Sequence, residues 1–476
     1  MSKLEFSHHL SESVKYRTDN DFTTGESYQI PHPNPIYFNY GCPNHGFFPI
    51  KNISIQSINK PFNNEDTTDF VINGTNNNEN STTNKSITIS QGFQYMEVTG
   101  DKLFYNFNKE LILKVNPPAY NDWDLLLTCG SIDGLNKIFN ILINPNDTIL
   151  VEEYTFVPTV NQITQYRGIP IPLRLNLNPN KNSNNGIDLE FFEDLLNNWR
   201  SYHPNLRKPK ALYTIPNGQN PTGITTSMET KKKIYNICQS HDILIIEDDP
   251  YGYIILNDDF IHKKIAINDY INNYISKSYL TIDTSSRVLR CETYSKTFAP
   301  GSRVGFIVAN NFFIDHLKKL TELTTTYASG ISQTIIQNLI LQKGGFQGWV
   351  NWLIELSKAY SIRKYKILEF LKKTKLVQDN LINIIEPNNG MFISIVFKFE
   401  NANSNEYNIK SDLDKLYNIC LNNGIVVILG KTMAVGERAR ENAKFIRITL
   451  AMADNIEEII EGARRLTKSF EEYFYS

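Results

Sequence analysis

Between residues 148 and 309 the chain repeats one texture: short, uninterrupted apolar runs rich in β-branched residues, spaced by segments long enough to be helices. TILVEE (148–153), KALYTI (210–215), ILIIED (243–248), LRCETYS (289–295) and GFIVA (305–309) read as strands. A strand with one wet face alternates polar and apolar residues. These runs do not alternate, so both faces must be buried, which predicts an α/β architecture: a mainly parallel central sheet between two helix layers. The helices between them are marked as well. One opens at Ser131 and continues through Leu135, Ile138 and Leu142. Another is signalled by Thr226 and Glu229 at capping-box spacing, followed by the stripe Ile234, Ile237 and Cys238.

The flanking regions read differently. Residues 1–50 are loop-like, with Pro31, Pro33 and Pro35 forbidding a long helix. The tract from 59 to 84 is polar and too poor in apolar residues to fold on burial alone, so a surface insertion, mobile or partly disordered, is expected there. A long helical stretch begins near 312, and GMFISIVF (390–397), NNGIVVIL (422–429) and FIRITLA (445–451) suggest a smaller α+β unit. At roughly 150 residues per domain, 476 residues allow two or three. The expected division is an N-terminal segment 1–58 joining the small unit, a polar insertion 59–90, a large domain 91–345 and a small domain 346–476.

Composition removes several function classes. With 48 Lys plus Arg against 50 Asp plus Glu, the net charge is −2, and there is no basic footprint for nucleic acid or an anionic membrane. No run approaches the roughly 18 apolar residues of a membrane span. The cysteines (Cys42, Cys129, Cys238, Cys291, Cys420) are scattered and odd in number, which suggests neither a disulfide framework nor a metal site. A cytoplasmic protein is expected.

Chemistry in open parallel sheets gathers beyond the carboxyl ends of the strands. Three runs end in unusual residues: Pro216-Asn217-Gly218-Gln219-Asn220-Pro221-Thr222-Gly223, then Asp248-Asp249-Pro250-Tyr251, then Ser295-Lys296 followed by Arg303. A lysine just past a buried strand is partly desolvated, which frees an amine for imine chemistry. Arg303 could pair with a phosphate, with Thr293 and Ser295 donating to the same group. Asp248 could hold a proton on a heterocycle nitrogen, while Asn220 and Tyr251 could bond a phenolate oxygen. The helix start at Gly130-Ser131-Ile132 offers backbone N–H groups to an anion. Each feature alone is ordinary; Asn-Pro-Thr-Gly is commonly a plain turn. Their order and placement together describe a site for a phosphorylated, carbonyl-bearing pyridine.

These residues resemble the fold-type-I aminotransferases that depend on pyridoxal 5′-phosphate, and most resemble the fungal aromatic amino acid aminotransferases and their kynurenine and 2-aminoadipate relatives. PNGQNPTG, EDDPYGYI, ETYSKTFAPGSRVGF and FIRITLA carry the likeness, and FSHHLSESVKYR extends it to the N-terminus. The resemblance implies a three-layer fold in which Lys296 bonds the cofactor and moves the α-proton, and Asp248 binds the ring nitrogen. It implies that Tyr251 and Asn220 contact the ring oxygen, that Phe156 stacks on the ring, and that Ser131, Ile132, Thr293, Ser295 and Arg303 hold the phosphate. Ile132 stands where kynurenine-type relatives carry a polar side chain, so only its backbone contact carries over. Arg447 would clamp the substrate carboxylate, with Gly41 and Asn220 close to the substrate. Tyr95 would reach the phosphate of a neighbouring subunit, implying a homodimer with shared sites.

The reaction so implied is ping-pong transamination of Phe, Tyr or Trp with a 2-oxo acid such as 2-oxoglutarate or phenylpyruvate. Transamination of 2-aminoadipate or kynurenine is the alternative. A cofactor-sensing transcription regulator without catalysis is a remoter one, since such regulators carry a winged-helix module ahead of the family segment, which here begins within the first ten residues.

Overall fold

The computed structural model describes residues 6–17, 32–34, 36, 41–75, 86–177, 186–401 and 408–475. In chain order, β1 (Asn52–Ile58) and β2 (Thr67–Asn73) form an antiparallel hairpin. β3 (Trp123–Thr128), β4 (Thr148–Glu152) and β5 (Ile169–Leu173) follow, then a short ribbon of β6 (Leu175–Asn176) and β7 (Gly186–Ile187). Next come β8 (Ala211–Thr214), β9 (Leu244–Asp248), β10 (Val288–Thr293) and β11 (Gly305–Asn310). The central sheet has the order β3-β11-β10-β9-β8-β4-β5. It is parallel from β10 through β5, while β11 runs antiparallel to both β10 and β3.

All five expected runs are strands of this sheet, and β4, β8, β9, β10 and β11 are buried at every position. Their residues divide between two cores. Ile149, Val151, Tyr213, Ile246 and Leu289 meet the helices Ser131–Leu142 and Asn311–Leu323 on one face. Leu150, Leu212, Ile245 and Val308 meet Lys102–Val115, Leu189–Asn197 and Met228–Ser240 on the other. At roughly 1.5–3 kcal/mol per fully buried aliphatic side chain, this two-sided burial is what holds the sheet rigid. The edge strands β3 and β5 are additions to the sequence reading. β5 carries Pro170 and Pro172, which disguise it as a loop and which only an edge strand tolerates.

A second sheet, β12 (Ile382–Ile385), β13 (Phe392–Phe397), β14 (Ile428–Leu429) and β15 (Phe445–Thr449), is antiparallel in the order β12-β13-β15-β14. Helices Ile409–Asn422 and Ile456–Tyr475 pack on it. Of NNGIVVIL only Ile428 and Leu429 are strand. The 28-residue helix Gly345–Lys372 joins the two units, giving Trp349, Val350 and Leu353 to the large core and Ile367, Leu368 and Leu371 to the small one.

Four local expectations are corrected. The helix expected to be capped by Thr226 is capped one residue later, where Ser227 accepts from Thr230 N. The long helical stretch from 312 is two helices, Asn311–Leu323 and Gly330–Gln342, separated by a turn in which Thr326 has positive φ and closed by the cap Ser329. The polar tract is partly a strand: Phe70 and Ile72 alternate with the outward-facing Asp69, Val71 and Asn73 on β2 and bury one face in the large core. The remainder of that tract, 76–84, lies outside the described residues. Finally, residues 6–17 pack on the large unit rather than with the small one. Phe6 packs against Phe312 and Phe313, Ser11 N donates to Ile141 O, and His8 and His9 both meet Asp242.

Candidate functional site

At the carboxyl ends of β8, β9 and β10 lies a cavity of about 210 Å³. Ser131, Ile132, Phe156, Asn220, Asp248, Tyr251, Thr293, Ser295, Lys296 and Arg303 all line it, joined by Ile215, Pro250, Pro300 and Phe392. Ten side chains from six segments thus meet where the sequence expected them to.

The anion end is built around Gly130. With φ of +88°, it is the residue before the helix Ser131–Leu142, and a Cβ there would lie 2.5 Å from Arg303 Nη2. Arg303 therefore reaches across that turn, where Nη2 donates to Cys129 O and Nη1 to Pro300 O. Ser295 Oγ lies 3.4 Å from Nη1 and 2.9 Å from Thr293 Oγ1. A guanidinium, two hydroxyls and the positive end of a helix face one place, which suits a phosphate.

The opposite end is acidic. Asp248 is buried and accepts from Tyr213 Oη at 2.8 Å through Oδ2, while Oδ1 is buried without a partner among the described residues. Burial pushes its carboxyl up to about 7, against the Tyr213 hydrogen bond. The strand alternation of β9 sends Glu247 and Asp249 to the other face, where Arg290 pairs with Glu247 and Asp249 at 2.8 Å and with Glu292 at 2.7 Å. Removing one partner from such a buried set costs about 3–5 kcal/mol, so it fixes the ends of β9 and β10 from behind.

Between these ends is Lys296. Its amine is held below the usual lysine range by burial, and further by Arg303 and Arg447. The Asn220 loop approaches from a third side. Fully buried Glu152, whose carboxyl burial pushes up to about 7, accepts from Thr214 Oγ1 and from Gln219 Nε2, and Gln219 Oε1 accepts from Thr222. The small unit closes over this loop: Gly218 has φ of +56° and a Cβ there would meet Asn389 O at 2.5 Å, while Ser394 Oγ donates to Pro221 O.

Arg447, on β15, donates from Nη1 to Asn220 Oδ1 at 2.7 Å and lies over the Phe392 ring at 4.2 Å. Its Nε is buried without a partner among the described residues. Two expected residues stand elsewhere. Gly41 is exposed with no neighbour among the described residues within 4 Å of where a Cβ would be, and Tyr95 is 65 % exposed; neither lines the cavity. They share one patch, since Gln94 Nε2 donates to Pro43 O and Tyr327 lies beside both Tyr95 and Cys42. The sequence reading missed Tyr213 and Phe392, which look like core in apolar strands, and Glu152, whose carboxylate at the end of the apolar run TILVEE was the one available signal.

A family profile described as aminotransferase class I and II matches residues 74–464. The chain is 33% identical to aromatic amino acid aminotransferase 2 of Saccharomyces cerevisiae, over 91% of this chain and 90% of that one. It is 29% identical to aromatic amino acid aminotransferase C1773.13 of Schizosaccharomyces pombe, over 99% of this chain and 97% of that one. The crystal structure of the aromatic aminotransferase Aro9 from C. albicans superposes with a TM-score of 0.90 at 36% identity, covering 99% of this chain and 98% of that one.

Proposed function

The chain belongs to the class I and II aminotransferases, and from that premise we propose that it transaminates aromatic amino acids with pyridoxal 5′-phosphate in the cavity described above. The observation that carries the cofactor is the pairing of two demands at opposite ends of one cavity: Arg303 and the Gly130 turn at one, the unpartnered Asp248 Oδ1 at the other. A phosphorylated pyridine with a protonated nitrogen meets both. When bound, the cofactor supplies an electron sink that lets the α-proton of an amino acid leave.

The chain's own residues divide the remaining work. Ser131, the Ile132 N–H, Thr293, Ser295 and Arg303 would hold the phosphate, and Phe156 would lie against the ring. Asp248 Oδ1 would accept the ring N–H and keep that proton in place. Tyr251 and Asn220 would face the ring oxygen. Lys296 Nζ, held below the usual lysine range by burial and its cationic neighbours, gives up its proton more readily than an exposed lysine and is suited to carry the α-proton away from and back to carbon. Arg447 would turn from Asn220 to bind the substrate carboxylate through two N–H groups. A 2-oxo acid, such as 2-oxoglutarate or phenylpyruvate, would then take the amino group in the second half of a ping-pong cycle.

The aromatic preference is supported by the relatives named above, and Phe392 offers an aromatic wall beside Arg447. Exposed Tyr95 and Gly41 fit a homodimer in which each copy completes the other's site. Five free cysteines fit a cytoplasmic setting. Turnover of Phe, Tyr, Trp, kynurenine and 2-aminoadipate with 2-oxoglutarate tests the reading. The aromatic amino acids should have the highest kcat/KM; a clear preference for 2-aminoadipate or kynurenine overturns the substrate class, and no transamination of any amino acid overturns the function.

A further inference from the structure

The two oxygens of Asp248 have different surroundings. Oδ2 accepts a hydrogen bond of 2.8 Å from the hydroxyl of Tyr213 on the adjacent strand β8. The oxygen of that hydroxyl accepts one of 3.2 Å from Thr159 Oγ1, in the helix Val157–Gln165. Tyr213 and Thr159 are 0% and 1% exposed. Oδ1, by contrast, has no partner among the described residues, although Asp248 lines the cavity.

The order of donors gives this chain a direction. A phenol has one proton to donate. Because Thr159 donates to the Tyr213 oxygen, that proton is left for Asp248. A core tyrosine needing only to be satisfied could use a backbone carbonyl; this one is spent on the carboxylate at the floor of the site. We infer that Tyr213, held by Thr159, is a positioning residue: it occupies Oδ2 of Asp248 and so presents Oδ1 to the protonated nitrogen of a bound pyridine ring.

The same hydrogen bond also favours the charged carboxylate that burial disfavours. The other charged and titratable groups around Asp248 are Asp249 just past the end of β9, Arg290 and Cys291 on β10, Glu152 on β4 and Tyr251 in the loop after β9. Lys296 lines the same cavity. Of the first five, Asp249 raises the proton affinity of Asp248 and Arg290 lowers it, yet among the described residues Tyr213 is the one side chain in hydrogen-bond contact with its oxygens.

The inference rests on the cofactor reading, and one experiment separates the two. Pyridoxamine 5′-phosphate carries the ring nitrogen and the phosphate but cannot link to Lys296. It is titrated into the apoprotein between about pH 5.5 and pH 8.5, a range spanning the titration of a raised carboxyl, with binding read from its own fluorescence. Tyr213→Phe removes one hydroxyl and keeps the ring. Its affinity should fall by about tenfold or more above neutrality, the scale of a hydrogen bond to a charged group. The deficit should shrink toward the acid end, where Asp248 is protonated in both proteins. Thr159→Val should shift affinity the same way by less, and Thr159→Ser should restore it. Parental affinity and pH profile in Tyr213→Phe overturn the inference, as does a deficit equal at every pH and accompanied by a lower Tm. Failure of the parent protein itself to bind overturns the cofactor reading instead.

Discussion

The cavity beyond β8–β10 and the patch around Gly41 and Tyr95 were expected to serve one site, yet they are built in opposite ways. The cavity is made of strand ends locked by two-sided burial, by the Arg290 ion cluster and by Glu152 beneath the Asn220 loop. Every expected residue of the phosphate and ring sites except Tyr95 converges there. The patch is exposed, lies on loops and makes few contacts of its own. One chain thus gathers most of the expected cofactor residues in its own cavity, whereas Tyr95, expected at a neighbour's phosphate, and Gly41, expected at the substrate, face outward. That division is what the proposed shared site between two copies calls for.

Substitutions break this contrast in graded steps. Lys296→Ala should lower turnover by roughly 10³-fold or more, the upper range for a proton-transferring group, while Tm stays near the parent's, because the side chain is only partly buried. Arg447→Lys keeps the charge but loses the two-pronged geometry, and kcat/KM for every amino acid should drop on the order of 10- to 100-fold, the value of one hydrogen bond between charged groups. An effect confined to one substrate would contradict the carboxylate role. Tyr95→Ala, on the exposed patch, should change stability by no more than about 0.5 kcal/mol and yet weaken activity. Mixed with Lys296→Ala under subunit exchange, it should recover part of the parental rate, since one hybrid site is then intact. No recovery would argue that the patch does not complete a neighbour's site.

The smallest expected effect is on pH dependence. Burial pushes the Asp248 carboxyl up to about 7 in the folded chain, against about 3.9 for an ordinary aspartate. Between those values the unfolded chain has lost a proton that the folded one retains, so this group's stabilising contribution falls as pH rises through the window. Asp248→Asn should flatten the decline of apoprotein Tm between pH 4 and 7 relative to the parent. An unchanged slope would mean that the carboxyl is not buried as described.

The same contrast explains what could be read from sequence. Strands buried on both faces, and the loops ending them, leave local signatures: ILIIED followed by Pro250 and Tyr251, or the run from Ser295 to Arg303. Residues defined by distant partners leave none. Tyr213 reads as core in KALYTI, and its value comes from Asp248, 35 positions away. β2 was obscured because Phe70, Val71 and Ile72 are a short apolar run in a polar tract, of which Phe70 and Ile72 are buried only once a hairpin and a core are present to receive them. The placement of residues 6–17 was missed for the same reason, since the grip of His8 and His9 on Asp242 spans more than 230 positions.

The proposed chemistry stands on Lys296 facing a cofactor bound between Arg303 and Asp248. Borohydride reduction of the protein with pyridoxal 5′-phosphate, followed by peptide mass mapping, reads that placement directly. One phosphopyridoxyl group per chain is expected, on the peptide containing Lys296. Attachment at another lysine, or none at all, would contradict it.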